Sequence, residues 1–319
     1  MSTAVPAAAR PPALRTWLLA IRPATLPAAA AGVAVGLGAA LAIGTPFRVD
    51  TAAGCLVVAL LLQVLANLGN DLSDHRRGAD TPDRAGPTRV AAAGLVTERQ
   101  LEAAILLVTG LAGVIGLWLV LVGGPVLLAL GGLAIVAALA YTGGPFPYGY
   151  RALGEVFVFV FFGLVAVVGT AYLQALRVEP LFLVASIPAG ALITAILVVN
   201  NLRDIPTDAA AGKRTLAVIL GRRRTVAEYA LLLVLAYTVD VLTVPLGSGV
   251  RWGPLAVAAW LPLLTIPMAL PLLRTVRGFE EPRELNAVLK GTARLALAFS
   301  LLFAVGLALA GLHPGGPAA

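Results

Sequence analysis

Two stretches of this chain carry paired acids at matched spacing, Asn67-Leu-Gly-Asn-Asp71-Leu-Ser-Asp74 and Asn200-Asn-Leu-Arg-Asp204-Ile-Pro-Thr-Asp208. Asn200 follows Asn67 by 133 positions (200 − 67), and Asp204 follows Asp71 by the same 133 (204 − 71). At roughly 100° per helical residue, Asn67, Asp71 and Asp74 fall at about 0°, 40° and −20°, and Asn200, Asp204 and Asp208 at about 0°, 40° and 80°. If both stretches are helical, each presents its polar groups as one stripe. Carboxylates are ligands for hard divalent ions such as Mg²⁺, which prefers oxygen and usually bridges to substrate phosphates. Cations stand close by in sequence: Arg76, Arg77, Arg84 and Arg89 after the first stretch, Arg203, Lys213 and Arg214 around the second. Such neighbours offset the remaining phosphate charge. The pair reads as a site for a diphosphate held through Mg²⁺. Gly212-Lys213-Arg214-Thr215 is not a P-loop, because it lacks the earlier glycine and a Ser/Thr directly after Lys.

The elements that must position these stripes belong to a membrane. The 319 residues are 59% hydrophobic and only 12% charged, with a mean hydropathy of +0.93. A soluble domain carries about a quarter charged residues. The net charge of +7 raises nucleic acid as a partner, but the basic residues lie in short loops between apolar runs, where membrane orientation accounts for them. The single Cys55 excludes an intrachain disulfide, and two histidines, His75 and His313, are too few for a histidine-rich metal site.

A spanning helix needs about 20 apolar residues. The first span runs from Trp17 or Thr25 to Ile43, with Pro23 and Pro27 suited to first turns. Further spans lie near 51–69, 100–122, 125–142, 153–175, 180–201, 225–245, 254–273 and 291–312, nine in all. The expected fold is therefore an all-α polytopic bundle. Residues 1–16, rich in Ala and Pro and without a signal-peptide pattern, read as a disordered cytosolic tail. Residues 17–312 read as a single transmembrane domain, and 313–319 as a short C-terminal tail. With nine spans, 20 of the 23 Lys and Arg fall on the N-terminal side, leaving only Arg48, Arg177 and Arg251 opposite. By the positive-inside rule that side is cytosolic, and both Asp stretches open onto it in the cell membrane.

These residues resemble the paired aspartate motifs of the UbiA superfamily of intramembrane prenyltransferases. Arg22-Pro23-Ala24-Thr25-Leu26-Pro27, the run from Gly78 to Pro87, Tyr141-Thr-Gly-Gly-Pro-Phe-Pro-Tyr148-Gly-Tyr150-Arg151, Gly154-Glu155-Val-Phe-Val-Phe and the segment from Asn200 to Thr215 are similar to the 1,4-dihydroxy-2-naphthoate polyprenyltransferase branch. Gly86-Pro87-Thr88-Arg89 replaces the Arg-Thr…Arg-Pro-Leu pattern of the 4-hydroxybenzoate and haem farnesyltransferase relatives. The resemblance covers residues 15–312. It implies a nine-helix bundle with a cavity open to the cytosolic interface and sideways to lipid. It also implies Mg²⁺ on Asn67, Asp71, Asp74, Asp204 and Asp208, with Asn200, Arg203 and Lys213 toward the diphosphate. Tyr141 is implied near the donor's C1, where an aromatic face stabilises allylic cation character. Arg22 and Arg151 are implied as contacts to substrate anions. The implied reaction joins a polyprenyl group to the naphthoate with loss of CO2, giving demethylmenaquinol for menaquinone synthesis. Homogentisate and 4-hydroxybenzoate remain alternative acceptors. A secondary transporter is the alternative of a different class, although its acids would lie near the midplane rather than at helix ends.

Overall fold

The computed structural model describes residues 12–78, 85–246 and 252–312. Among them there is no strand, only an isolated bridge between Arg151 and Arg214. The rest is helix and short connection. A first helix, α1 (Ala13–Ile21), lies before the first span. Residues 13–16, expected in a disordered tail, thus form the start of a helix; residues 1–11 and 313–319 lie outside the described residues. Arg22, at a left-handed φ of 55°, turns the chain from α1 into α2 (Leu26–Ala42).

The remaining helices are α3 (Val49–Arg76), α4 (Glu98–Gly123), α5 (Val126–Ala140), α6 (Gly154–Val158), α7 (Ala166–Ala175), α8 (Pro180–Ala210), α9 (Leu216–Leu246), α10 (Ile266–Gly278) and α11 (Leu285–Ala310). A π-helical turn, Phe159–Val165, joins α6 to α7, and a 3₁₀ segment, Ala256–Thr265, leads into α10. Among the described residues, eight stretches are long and apolar enough to cross a membrane, and α5 is a shorter apolar helix of 15 residues. At 1.5 Å per residue α5 reaches only about 22 Å. Among the described residues, eight of the nine expected spans thus meet that criterion, and the ninth, expected over 125–142, corresponds to the shorter α5.

Why this sequence packs as it does is clearest at α2 and α8. Lipid tails are as apolar as leucine, so helices in a bilayer associate through close van der Waals contact, which small residues permit. A Cβ on Gly36 would lie 2.5 Å from the Val167 carbonyl oxygen, and one on Gly38 would lie 2.4 Å from Ala304 Cα. These glycines let α2 sit directly on α7 and α11. Gly38→Val should therefore destabilise the bundle by at least about 1–3 kcal/mol through overpacking, read as a lower unfolding temperature in detergent. Helix α8 forms the buried axis: Leu181, Phe182, Ala185, Ala189, Leu192, Val198 and Val199 are all fully buried. It packs on α9, α11 and α2. By contrast α4 exposes Leu106, Leu107, Val114, Leu117 and Leu121, the face a helix turns to lipid.

Candidate active site

Helices α3 and α8 run beside one cavity and line it with stripes of the same polarity gradient. From α8 come Ile193, Ile196 and Leu197, then Asn200 and Asn201, then Asp204 and Asp208. From α3 come Ala59 and Leu62, then Gln63 and Asn67, then Asn70 and Asp74. Both helices remain helical through their acids, α8 despite Pro206 within it. Each stripe therefore passes from apolar to acidic over about four turns. The apolar end is completed by Ala28 and Ala29 of α2, Ala134 and Ala138 of α5, and Phe161, Phe162 and Val165 of the π-helical turn. A π-turn re-aims side chains within a helix and often marks a functional site; here it aims two phenylalanines at the cavity.

At the acidic end, Asp74 is fully buried and held by three donors. Arg89 Nη2 reaches its Oδ2 at 2.8 Å, Lys213 Nζ reaches the same oxygen at 3.2 Å, and the Tyr150 hydroxyl donates to Oδ1 at 3.0 Å. Lys213 also stands 3.9 Å from Asp208 Oδ1, linking the two stripes. The Tyr150 ring has the Arg77 guanidinium 5.5 Å and the Lys213 ammonium 4.9 Å from its centroid. Burial, and then the Asp74 charge, push the Tyr150 phenol above its ordinary pKa. A raised pKa keeps the proton on the phenol, so its bond to Asp74 persists through pH 7–9. Tyr150→Phe should lower turnover about tenfold, the worth of one hydrogen bond to a charged group. The factor should be the same at pH 7 and pH 9, checked by steady-state assays at both.

The structure distributes the expected site residues unequally. Asn67, Asp74, Tyr141, Asn200, Asp204, Asp208, Lys213 and Arg22 line the cavity. Asp71, Arg203 and Arg151 do not. Asp71 instead accepts the backbone N–H groups of Val90 and Ala91, both at 3.1 Å, with Arg22 Nη2 at 3.9 Å. It ties the following loop to α3. Arg203 is fully buried and forks onto Asp204 at 2.7 and 2.6 Å, while also donating to Asn200 and Asn286. Its place is behind the wall, where it orients the residues that face the cavity. Arg151 is exposed and lies over the Phe146 ring at 3.8 Å. Asn67 faces the cavity, but its Nδ2 is engaged by the Ile21 carbonyl oxygen at 2.8 Å and the Thr25 hydroxyl at 3.0 Å. It fastens the α1–α2 turn to α3.

Tyr141, just past α5, is positioned by glycines. Its carbonyl accepts Gly149 N–H at 2.8 Å. A Cβ on Gly149 would lie 3.1 Å from its Cζ, and one on Gly154 would lie 3.4 Å from Cε2. The ring is thus seated against bare backbone, edge-on to Tyr148 at 5.3 Å.

Among the described residues, no three Asp, Glu, His or Cys side chains stand close enough to hold a metal ion by themselves. Asp74, Asp204 and Asp208 nevertheless face one cavity. Mg²⁺ characteristically takes one or two carboxylates and completes its shell with water and substrate phosphate. All-oxygen donors from two helices, with Arg89 on Asp74 and Lys213 between Asp74 and Asp208, suit an ion shared with a diphosphate.

The sequence matches the model of the UbiA prenyltransferase family over residues 29–281. The chain belongs to that family. Among curated relatives of this UbiA-family chain, the 1,4-dihydroxy-2-naphthoate octaprenyltransferase of Mycobacterium tuberculosis is 43% identical over 292 residues, covering 92% of this chain and 96% of the relative. The Escherichia coli protein of the same name is 38% identical at the same coverage. A UbiA homologue from Archaeoglobus fulgidus, solved bound to GPP and Mg²⁺, superposes with a TM-score of 0.65 over 92% of this chain and 99% of its own, at 15% identity. That likeness establishes the UbiA fold.

Four features of the site were not anticipated from the sequence. Arg89 and Tyr150 hold Asp74, Asn201 joins Asn200 in the wall, and Glu155 is buried behind Asn201. Arg89 was one of several loop cations with nothing local to single it out. Tyr150 sat inside a distinctive stretch but was separated from Asp74 by 76 positions.

Proposed function

We propose that the protein transfers a polyprenyl group from its diphosphate to 1,4-dihydroxy-2-naphthoate in an Mg²⁺-dependent reaction, releasing CO2 and diphosphate and giving demethylmenaquinol. The observation that carries the reading is the polarity gradient shared by the α3 and α8 stripes. The carboxylates and cations at one end suit a diphosphate, and the alanines, leucines and phenylalanines below suit an isoprenoid tail. The names of the M. tuberculosis and E. coli relatives supply the acceptor.

Asp74, Asp204 and Asp208 would hold the ion. When bound it neutralises charge on the leaving diphosphate. Arg89 and Lys213, already aimed at Asp74, add positive charge where the diphosphate departs. The allylic C–O bond breaks with its electron pair passing to that oxygen. The ring carbon bearing the carboxylate then bonds to C1. Loss of CO2 returns the electron pair of the broken C–C bond to the ring and restores aromaticity. The Tyr141 face is placed to stabilise cation character at C1. Phe161, Phe162 and Val165 keep water from the cation. In this reading residues 17–312 act as one transmembrane unit in the cell membrane, with the acidic end of the cavity at the cytosolic face, as the distribution of Lys and Arg supports.

Purified protein supplied with the naphthoate and a polyprenyl diphosphate should release diphosphate, stop on addition of EDTA and resume with excess Mg²⁺. Undiminished turnover in EDTA would contradict the proposed role of the carboxylates.

A further inference from the structure

Helix α8 carries two successive asparagines into the cavity wall, and buried charged groups hold their amides in opposite senses. Arg203 Nη2 donates to Asn200 Oδ1 at 2.8 Å. A guanidinium has only donors, so the Asn200 oxygen is committed and its NH2 group is what remains to be offered. Asn201 Nδ2 donates to Glu155 Oε1 at 2.8 Å. With Glu155 Oε1 as the acceptor, one of the two Asn201 amide N–H groups is taken and the amide oxygen remains to be offered. Arg203 is 2% exposed and Glu155 7% exposed, so neither clamp is loosened by solvent. Glu155 itself is not part of the wall; it acts through Asn201. One turn below the pair, Leu197 and the Tyr141 ring both approach Gly154, 3.2 and 3.4 Å from where a Cβ there would lie, and Tyr141, Asn200, Asn201 and Asp204 line the same cavity.

We infer that Asn200 and Asn201 recognise the aromatic acceptor, with Arg203 and Glu155 as positioning residues. The inference rests on the proposed function and deepens it. The cavity wall thus offers a donor from Asn200 and an acceptor from Asn201, one residue apart along α8. The complementary ligand carries an acceptor beside a donor: a carboxylate on one ring carbon and a hydroxyl on the next. The Asn200 N–H group donates to the carboxylate, and Asn201 Oδ1 accepts from the hydroxyl. A ring with these groups para to each other separates them by its own width and engages only one asparagine. A neutral amide also suits a carboxylate that must depart as CO2, because a strong cation there would stabilise the ground state more than the transition state.

The test measures KM for acceptor and donor separately in the wild type, Asn200→Ala, Asn201→Ala and Glu155→Gln, with 1,4-dihydroxynaphthalene as a competing ligand that lacks the carboxylate. Asn200→Ala and Asn201→Ala should each raise the naphthoate KM about tenfold, as expected for one lost hydrogen bond, and leave the donor KM within about twofold. Asn200→Ala should leave inhibition by 1,4-dihydroxynaphthalene unchanged, whereas Asn201→Ala should weaken it. Glu155→Gln, which frees the Asn201 amide to turn, should raise the naphthoate KM by a smaller factor. If Glu155→Gln does not fold, the two alanine variants carry the test alone. Wild-type turnover with unchanged acceptor KM in both, or a donor KM that rises instead, would overturn this assignment while sparing the proposed function. Absence of wild-type turnover with the naphthoate would overturn both.

Discussion

Asp74→Asn and Asp208→Asn should each lower turnover by at least about 100-fold, the scale seen when one preorganised electrostatic contact is removed from a reacting centre. Asn is nearly isosteric with Asp and keeps an oxygen, but it lacks the charge that an Mg²⁺–diphosphate pair requires. The two variants should differ in stability. Asp74 is fully buried under Arg89, Lys213 and Tyr150, so its neutralisation leaves buried cations undercompensated. The Asp208 side chain is 13% exposed against 1% for Asp74, so its variant should lose activity with a smaller change in unfolding temperature. Asp71→Asn should behave differently again. Its carboxylate caps the Val90 and Ala91 amides, so the loss should fall on the loop, destabilising by about 1–3 kcal/mol. Steady-state rates beside thermal unfolding curves separate the three cases. Near-normal turnover in both Asp74→Asn and Asp208→Asn would reduce the stripes to structural helix ends.

The largest effect on stability should come from Arg203. Replacement by Met removes the fork on Asp204 and the donors to Asn200 and Asn286. The buried Asp204 carboxylate then loses the guanidinium fork, and breaking a buried ion pair costs about 3–5 kcal/mol. Lys should rescue little, because a single ammonium cannot reproduce two parallel N–H contacts and a third and fourth in the same plane. Thermal unfolding of Arg203→Met and Arg203→Lys in detergent checks this; a melting curve like the wild type for Arg203→Met would remove the clamp from the account.

Much of this architecture was legible because a membrane simplifies the code. Every span must satisfy its own backbone, so apolar length alone located the helices, and the equal offset of the two Asp stretches predicted stripes that meet. Helix ends were less legible. The sixth span, expected over 180–201, continues as α8 to Ala210, so the acids lie on the helix itself. The first helix, Ala13–Ile21, begins one turn before the earliest expected start at Trp17, because its apolar content is short and follows a stretch rich in Ala and Pro. The site's inner supports were hidden for a different reason. Arg203 looked like a ligand for phosphate and is a brace behind the wall; Arg89 looked like a loop cation and reaches Asp74 from 15 residues away. A side chain's direction around a helix, and which loop folds back on it, are set by packing that no single stretch records. Glu155 and Asn201 show the same limit, since a hydrogen bond across 46 positions has no local signature.

The acceptor is the centre of the account, and one measurement tests it directly. Purified protein is given 1,4-dihydroxy-2-naphthoate, 4-hydroxybenzoate and homogentisate together, with geranylgeranyl diphosphate and Mg²⁺, and the products are weighed by mass spectrometry. The account predicts one dominant product whose mass equals the naphthoate plus the prenyl group, less the carboxyl group lost as CO2. A dominant benzenoid product, or a prenylated naphthoate that keeps its carboxylate, would contradict it.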